Sequence, residues 1–140
     1  GSDSTRRTAG QVFLMYLLDY PMNDNRRKHH LEFVVKNSDF AHEAGRLSML
    51  ELVSLVVKKF PEEIIADLAE MFLFPLVLRV CNEDSRQCRA FASDALVSLL
   101  ARSRDDFNKK ARGLAMGWLK VDKMALKAAG CQLLLHLQVF

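Results

Sequence analysis

The sequence predicts an all-α fold, a HEAT- or armadillo-like α-solenoid of antiparallel helix pairs with about seven helices. First, one helical motif occurs four times, beginning at Arg7, Gly45, Arg89 and Lys127, at intervals of 38, 44 and 38 residues. This spacing is close to the roughly 40–47-residue period of HEAT and armadillo repeats. Second, apolar residues recur every three or four positions, as on one face of a helix. Third, the intervening segments are roughly two to six residues long, which favours antiparallel neighbouring helices.

The best-formed copy of the motif lies in residues 83–100. From Arg89 it reads Arg-x-x-Ala-x-x-Ala-Leu-x-x-Leu, and the copies that begin at Arg7 and Lys127 carry Gly in place of the first Ala. The copy that begins at Gly45 is looser but shares the tetrapeptide Leu-Val-Ser-Leu with residues 96–99. The copies therefore predict equivalent helices in a stacked array.

Turn clusters separate the first three predicted helices. Residues 20–25 combine Pro, Asn and Asp and end the first helix, and Asn-Ser-Asp at 37–39 ends the second. Ser38 or Asp39 is placed to cap the third helix. The predicted spans are 5–20, 25–37 and 42–59.

Proline and capping residues define the remaining four helices. Pro61 suits the start of the fourth helix because its missing N–H would have no partner there, whereas Pro75 should kink the same helix. Asp84 or Ser85 is placed to cap the fifth helix, and Asp122 to cap the last. The predicted spans are 62–80, 83–100, 105–119 and 123–139.

The domain organisation that follows is a single segment of about three and a half repeats. Residues 1–2 are interpreted as an expression scar and 3–140 as one HEAT-repeat segment. Both ends carry strongly apolar helices, although a free-standing solenoid needs polar outer faces on its terminal repeats. We therefore expect a fragment of a longer solenoid, or a protein that oligomerises through its ends. The units are 5–20 as the second helix of a truncated repeat, then 25–59, 61–102 and 105–139.

Composition indicates a folded domain without a disulfide framework. Hydrophobic residues make up 50% of the chain and charged residues 26%, and the formal net charge is +3. Three cysteines, an odd number, suit a reducing compartment. Cys88 and Cys131 are expected on buried helix stripes, where a thiol acts as a small hydrophobe. Leu114 and Trp118 share the apolar stripe of the sixth helix and are expected in the core. The alternative is that Trp118 anchors a partner.

Residues 11–22, Gln-Val-Phe-Leu-Met-Tyr-Leu-Leu-Asp-Tyr-Pro-Met, resemble the down-regulated in metastasis (DRIM) family. The likeness extends from about residue 11 to 102, through segments at 28–33, 42–51, 60–61, 71–76 and 82–92. The resemblance implies a very large, small nucleolar RNA-associated HEAT-repeat scaffold of the small-subunit processome, acting in the nucleolus in 18S ribosomal RNA maturation. It implies that this chain is an interior segment of such a scaffold, next to further repeats of the parent chain and to other processome proteins. It brings no catalytic residue, cofactor or metal.

Basic clusters are the candidate binding sites. Each phosphate that Lys or Arg neutralises releases a counterion, so pre-ribosomal RNA or a small nucleolar RNA is a possible partner for them. The alternative is that they form the solvated face of a solenoid helix, which the mild net charge and the lack of interleaved aromatic residues favour. The candidate residues are Arg26, Arg27, Lys28, Lys109, Lys110 and Arg112.

Metal and catalytic sites are not predicted. Cys131 and His136 lie about 140° apart around their helix and do not converge. Glu43 and Arg46 are expected to pair at i,i+3 or to cap their helix, with no nucleophile beside them. The sequence therefore predicts a non-catalytic scaffold without membrane contact. The alternative is a HEAT-repeat adaptor of the nuclear-transport type that binds peptide or acidic protein cargo.

Overall fold

The protein is all-α. A computed structural model describes residues 5, 8–9, 12, 15–17, 23–36 and 42–138, and no β-strand occurs within these ranges. The described residues before position 23 are helical, while the rest of the predicted 5–20 helix and the 37–41 break lie outside the described part. The predicted all-α class is confirmed. The complete helices are α1 (Asp24–Lys36), α2 (Glu43–Lys59), α3 (Glu62–Asn82), α4 (Arg86–Arg102), α5 (Asp105–Lys120) and α6 (Met124–Leu137).

Helix ends follow the predicted capping chemistry at α4 but not at α6. Ser85 is the N-cap of α4, and its hydroxyl oxygen accepts a hydrogen bond from the backbone N–H of Cys88 at 3.2 Å. Pro61 directly precedes α3, and that helix continues through Pro75 to its end. The prediction for Asp122 was wrong, because Lys123 occupies the N-cap of α6 and makes no side-chain capping hydrogen bond.

The helices stack in two layers, α1, α3 and α5 in one and α2, α4 and α6 in the other. The most extensive packing joins α3 to α4 and α5 to α6 between the layers, and α2 to α4 within a layer. Within the second layer, hydrogen bonds connect residues 40 to 45 positions apart, and the two bonds between α2 and α4 show that these two helices run parallel. This offset agrees with the motif period and with an α-solenoid, while the narrower HEAT or armadillo assignment stays a prediction. The pairs are Ser54 with Asp94, Ser93 with His136, and Arg102 with the carbonyl of Val57.

The described motif copies fall on α2, α4 and α6, the helices of one layer. The third motif position holds Glu51, Ala95 and Leu133 in these helices, and each is buried. The copy that begins at Arg7 lies mostly outside the described residues. Helices that carry the same sequence motif thus occupy equivalent places in the helical array.

Two predictions about the core were wrong. Cys88 is buried as expected, but Cys131 is exposed because it lies on the side of α6 away from Leu133. Leu114 is 41% exposed, although Trp118 on the same stripe is partly buried. Both errors arise where a helix has apolar residues on more than one face.

Candidate docking surfaces

The basic residues of α1 have two different environments. Arg27 is largely buried and is used internally: it pairs with Asp24 at 3.2 Å and donates a hydrogen bond from Nε to the carbonyl of Leu17 at 3.2 Å. Arg26 and Lys28 are exposed, and neither forms an ion pair within the described part of the chain. Two of the three predicted cations in this cluster are therefore available to a partner.

The basic residues of α5 also divide. Lys110 pairs with Glu70 of α3, and both side chains are exposed. Lys109 and Arg112 line a hollow of about 220 Å³ with Asp105 and Leu137, at the carboxyl end of α6. Cations are favoured near a helix carboxyl terminus, so this position also has a structural explanation.

The structure brings Lys28 and Lys110 to one cleft, although they are far apart in the sequence. The cleft has a volume of about 480 Å³ and opens where α1, α3 and the beginning of α5 meet. Its lining carries equal numbers of cationic and anionic side chains over an apolar floor that includes Met71 and Phe107. It is therefore a mixed-charge cleft rather than a basic one. The charged residues are Lys28, Arg104, Lys110, Asp67, Glu70 and Asp106.

Sequence reasoning missed an apolar groove that adjoins this cleft, between α3 and α5. The rings of Phe74 and Trp118 meet edge to face with centroids 5.5 Å apart. Apart from that contact and the ion pair of Lys110 with Glu70, α3 and α5 do not pack closely along their lengths. Phe74 and Leu114 remain about 40% exposed. The four-residue spacing of Lys110, Leu114 and Trp118 was visible in the sequence, but it did not reveal whether a neighbour covers this face.

A buried ion pair connects α2 to the turn between α3 and α4. Arg46 donates from Nη2 to Glu83 Oε1 at 2.8 Å and from Nε to Oε2 at 2.9 Å, a bidentate arrangement. The Glu83 side chain is 1% exposed, and Arg79 approaches it at 3.8 Å. Arg46 thus binds a residue 37 positions away, whereas the sequence predicted that Glu43 and Arg46 pair with each other or cap their helix.

The electrostatics of this pair favour its charged form. Burial alone would raise the pKa of Glu83, but the hydrogen bonds from Arg46 and from the backbone N–H of Ser85, with the charges of Arg46 and Arg79, lower the pKa overall. The same hydrogen bond raises the pKa of Arg46, against the effect of its desolvation. Both groups are therefore ionised at neutral pH, and the pair acts as a structural connection.

Two further hydrogen bonds extend this connection. The hydroxyl of Ser85 donates to Glu43 at 2.7 Å, so the residue that caps α4 also binds the first turn of α2. Arg89 donates to the backbone carbonyl of Glu83 at 2.9 Å. We call the set Glu43, Arg46, Glu83, Ser85 and Arg89 the turn network.

The histidines and cysteines do not form a metal site in the described ranges. His136 Nε2 lies 2.8 Å from the hydroxyl of Ser93, and Nδ1 lies 2.7 Å from the carbonyl of Gln132, so both ring nitrogens are engaged. Burial, with a contribution from Cys131, raises the pKa of the Cys81 thiol. Within residues 23–36 and 42–138, no group of three His, Cys, Asp or Glu side chains converges on a possible metal position. None of the described helices is both long and apolar enough to cross a bilayer.

Comparison with known proteins identifies two relatives and no family model. The chain is 26% identical over 120 residues to the U3 small nucleolar RNA-associated protein 20 of Schizosaccharomyces pombe. It is 26% identical over 119 residues to the protein of the same name from Saccharomyces cerevisiae. The alignments cover 86% and 85% of this chain but only 5% of each yeast protein. Both names agree with the small nucleolar RNA association that the resemblance implied, and neither contains the family name down-regulated in metastasis.

Proposed function

We propose that this chain is a non-catalytic scaffold segment of a small-subunit processome component. In this role it supports pre-ribosomal RNA processing and 18S ribosomal RNA maturation in the nucleolus, by holding protein and RNA partners on a stacked helical array. The observation that carries the proposal is the similarity of most of the chain to two U3 small nucleolar RNA-associated proteins. The in-register stacking of the helices supports a role as a shaped surface.

The segment is proposed to be an interior part of a longer solenoid of the down-regulated in metastasis family. The chain spans 5% of the length of the yeast relatives, and its described helices already stack at the repeat offset. In-cell RNA crosslinking of the full-length protein tests whether it acts in the small-subunit processome. We expect crosslinks to small-subunit precursor RNA, and lower 18S relative to large-subunit ribosomal RNA after depletion. Normal 18S production after depletion would contradict the proposal.

RNA contact by this segment is proposed for the basic residues that have no internal carboxylate partner. Arg27 and Lys110 are paired within the fold. If four cations each contact one phosphate of single-stranded RNA, raising salt from about 50 to about 150 mM should weaken binding roughly 20-fold. The four are Arg26, Lys28, Lys109 and Arg112.

A pair of charge-reversal variants tests this assignment. Lys109→Glu with Arg112→Glu should weaken binding of a structured pre-ribosomal RNA fragment at least about tenfold at low salt. Lys120→Glu with Lys123→Glu, at the far end of α5, should have a much smaller effect and is the matched control. Equal losses in the two double variants would refute the assignment to residues 109–112. No RNA binding at low salt, together with tight binding of an acidic peptide, would instead support the adaptor alternative.

A further inference from the structure

The groove between α3 and α5 is an open surface between two parallel helices. Two side-chain contacts bridge it, the ion pair of Glu70 with Lys110 and the ring contact of Phe74 with Trp118. In the other layer, α2 and α4 pack extensively, whereas α4 and α6, the helices paired with α3 and α5 in their repeats, pack much less. Neighbouring helices are therefore packed closely between α2 and α4 but loosely between α3 and α5.

The two ends of the groove differ in chemistry. At the amino-terminal end of α5 lies the mixed-charge cleft, and toward the carboxyl-terminal end the side chains are apolar. Leu114 is 41% exposed and Val121 is 38% exposed, with Trp118 between them. From Asp106 to Lys120 the helix rises about 21 Å at 1.5 Å per residue, which is about four turns of a partner helix.

We propose that this groove binds an amphipathic helix of a protein partner. The apolar stripe of that helix, at i, i+4 and i+7, packs on Leu114 and Trp118, and its end, with charges of both signs, enters the mixed-charge cleft. The proposal names the class of partner for the scaffold proposed above and in that sense rests on it.

The charge pattern favours a polypeptide over RNA as the occupant. Nucleic acid presents only negative charge along its backbone, and the cleft would place three carboxylates, those of Asp67, Glu70 and Asp106, against it. A polypeptide can match cations and anions on both walls. The apolar end has no phosphate-binding group, but an aromatic side chain beside aliphatic ones is typical of the energetic centre of protein interfaces.

The shape of α5 fits a helix as the occupant. Gly117 lies about one helical turn after Leu114 on α5, and a Cβ atom built on it meets no atom within 4 Å. A small residue at the centre of a groove allows a partner helix to approach closely. Phe74 is the aromatic residue on the opposite wall.

Trp118 provides a direct assay because it is the single tryptophan of the chain. The 140-residue chain is titrated with an amphipathic peptide of about 18 residues that has leucines at i, i+4 and i+7 and a lysine–glutamate first turn. We expect a blue shift of Trp118 emission that saturates. A peptide of the same composition in scrambled order should give no saturating shift. Failure of the amphipathic peptide to bind would overturn the proposal.

Two substitutions on α5 localise the binding. Leu114→Asp should weaken peptide binding at least about tenfold, because it places a charge against the apolar stripe. Met116→Asp introduces the same charge at a residue that is 47% exposed on the opposite side of α5, and it should leave binding unchanged. Equal effects of the two substitutions would overturn the proposal.

The charged end and the RNA alternative are tested separately. Peptides whose first turn is all lysine or all glutamate should bind several-fold more weakly than the mixed one, and a tighter all-lysine peptide would contradict the mixed-charge cleft. Structured RNA that displaces the peptide and loses affinity in Leu114→Asp would assign the groove to RNA instead. If Leu114→Asp abolishes neither peptide nor RNA binding, the groove inference fails, while normal crosslinking and 18S maturation would leave the scaffold function standing.

Discussion

Gly130 in α6 provides a sharp test of how closely α5 and α6 pack. It is buried, and a Cβ atom built on it lies 2.7 Å from the carbonyl oxygen of Ala115 and 3.2 Å from side-chain atoms of Leu119. Carbon and carbonyl oxygen normally approach to about 3.3 Å or more, so the two helices must separate by several tenths of an ångström. Gly113 in α5 is exposed, and a Cβ atom on it meets nothing within 4 Å.

Comparing the two glycines separates helix propensity from packing. Replacing glycine by alanine within a helix stabilises it by about 1 kcal/mol, and Gly113→Ala should show this gain. Gly130→Ala has the same gain, but forcing a methyl group against a backbone carbonyl costs about 1–3 kcal/mol. We therefore expect Gly130→Ala to be less stable than Gly113→Ala by about 1–3 kcal/mol.

Urea unfolding followed by circular dichroism measures this difference. In thermal unfolding of a chain of this length, a change of about 1 kcal/mol in unfolding free energy shifts the melting temperature by about 4 °C. The melting temperatures of the two variants should therefore differ by about 4–12 °C. If Gly130→Ala is stabilised as much as Gly113→Ala, the close approach of α5 and α6 is refuted. A loss of stability in Gly113→Ala would instead contradict the assumption that helix propensity and packing contribute additively, on which the comparison depends.

The turn network gives two further predictions. The pKa of Glu83 is lowered in the fold, so its contribution to stability is present above the ordinary glutamate pKa and is lost as the pH falls through the folded-state pKa. Glu83→Gln should therefore be less stable than wild type at neutral pH and should lose less stability on acidification. Urea midpoints of the two proteins that change in parallel with pH would contradict this prediction. Ser85→Ala removes the N-cap of α4 and should lower the free energy of unfolding by about 1 kcal/mol in urea. Ser98→Ala, within the same helix, is the control. Equal losses of stability in the two variants would argue against a specific cap.

Local sequence patterns correctly predicted the structural features that depend on residues close together in the chain. The Ser85 cap could be predicted because the chemistry of a capping residue acts within one helical turn. The stacking of α2 on α4 followed from the motif period, since repeated positions in a solenoid occupy equivalent places. Most helix boundaries followed from turn residues for the same local reason.

Contacts between repeats could not be predicted in the same way. Periodicity finds an apolar stripe but does not reveal which of two apolar faces a neighbour covers, so Leu114 and Cys131 were placed in the core and lie exposed. The partner of Arg46 was expected one turn away, but Glu83 reaches it across a repeat boundary. The basic residues were identified from their clusters along the sequence, yet only the fold shows that Lys110 is paired internally.

The interactions that join the helices are distributed unevenly, and this bears on function. At the turn network, Arg46 and Glu83 form a bidentate, buried pair whose geometry admits little variation. Across the α3–α5 groove, Lys110 and Glu70 form an exposed pair, and such pairs contribute at most about 1 kcal/mol. The helices α2, α3 and α4 are therefore fixed relative to one another at this turn, whereas the spacing of α3 and α5 can adjust at small cost. The proposed scaffold role would use both properties, because a fixed shape preserves the place of the segment in an assembly and an adaptable surface accommodates a partner.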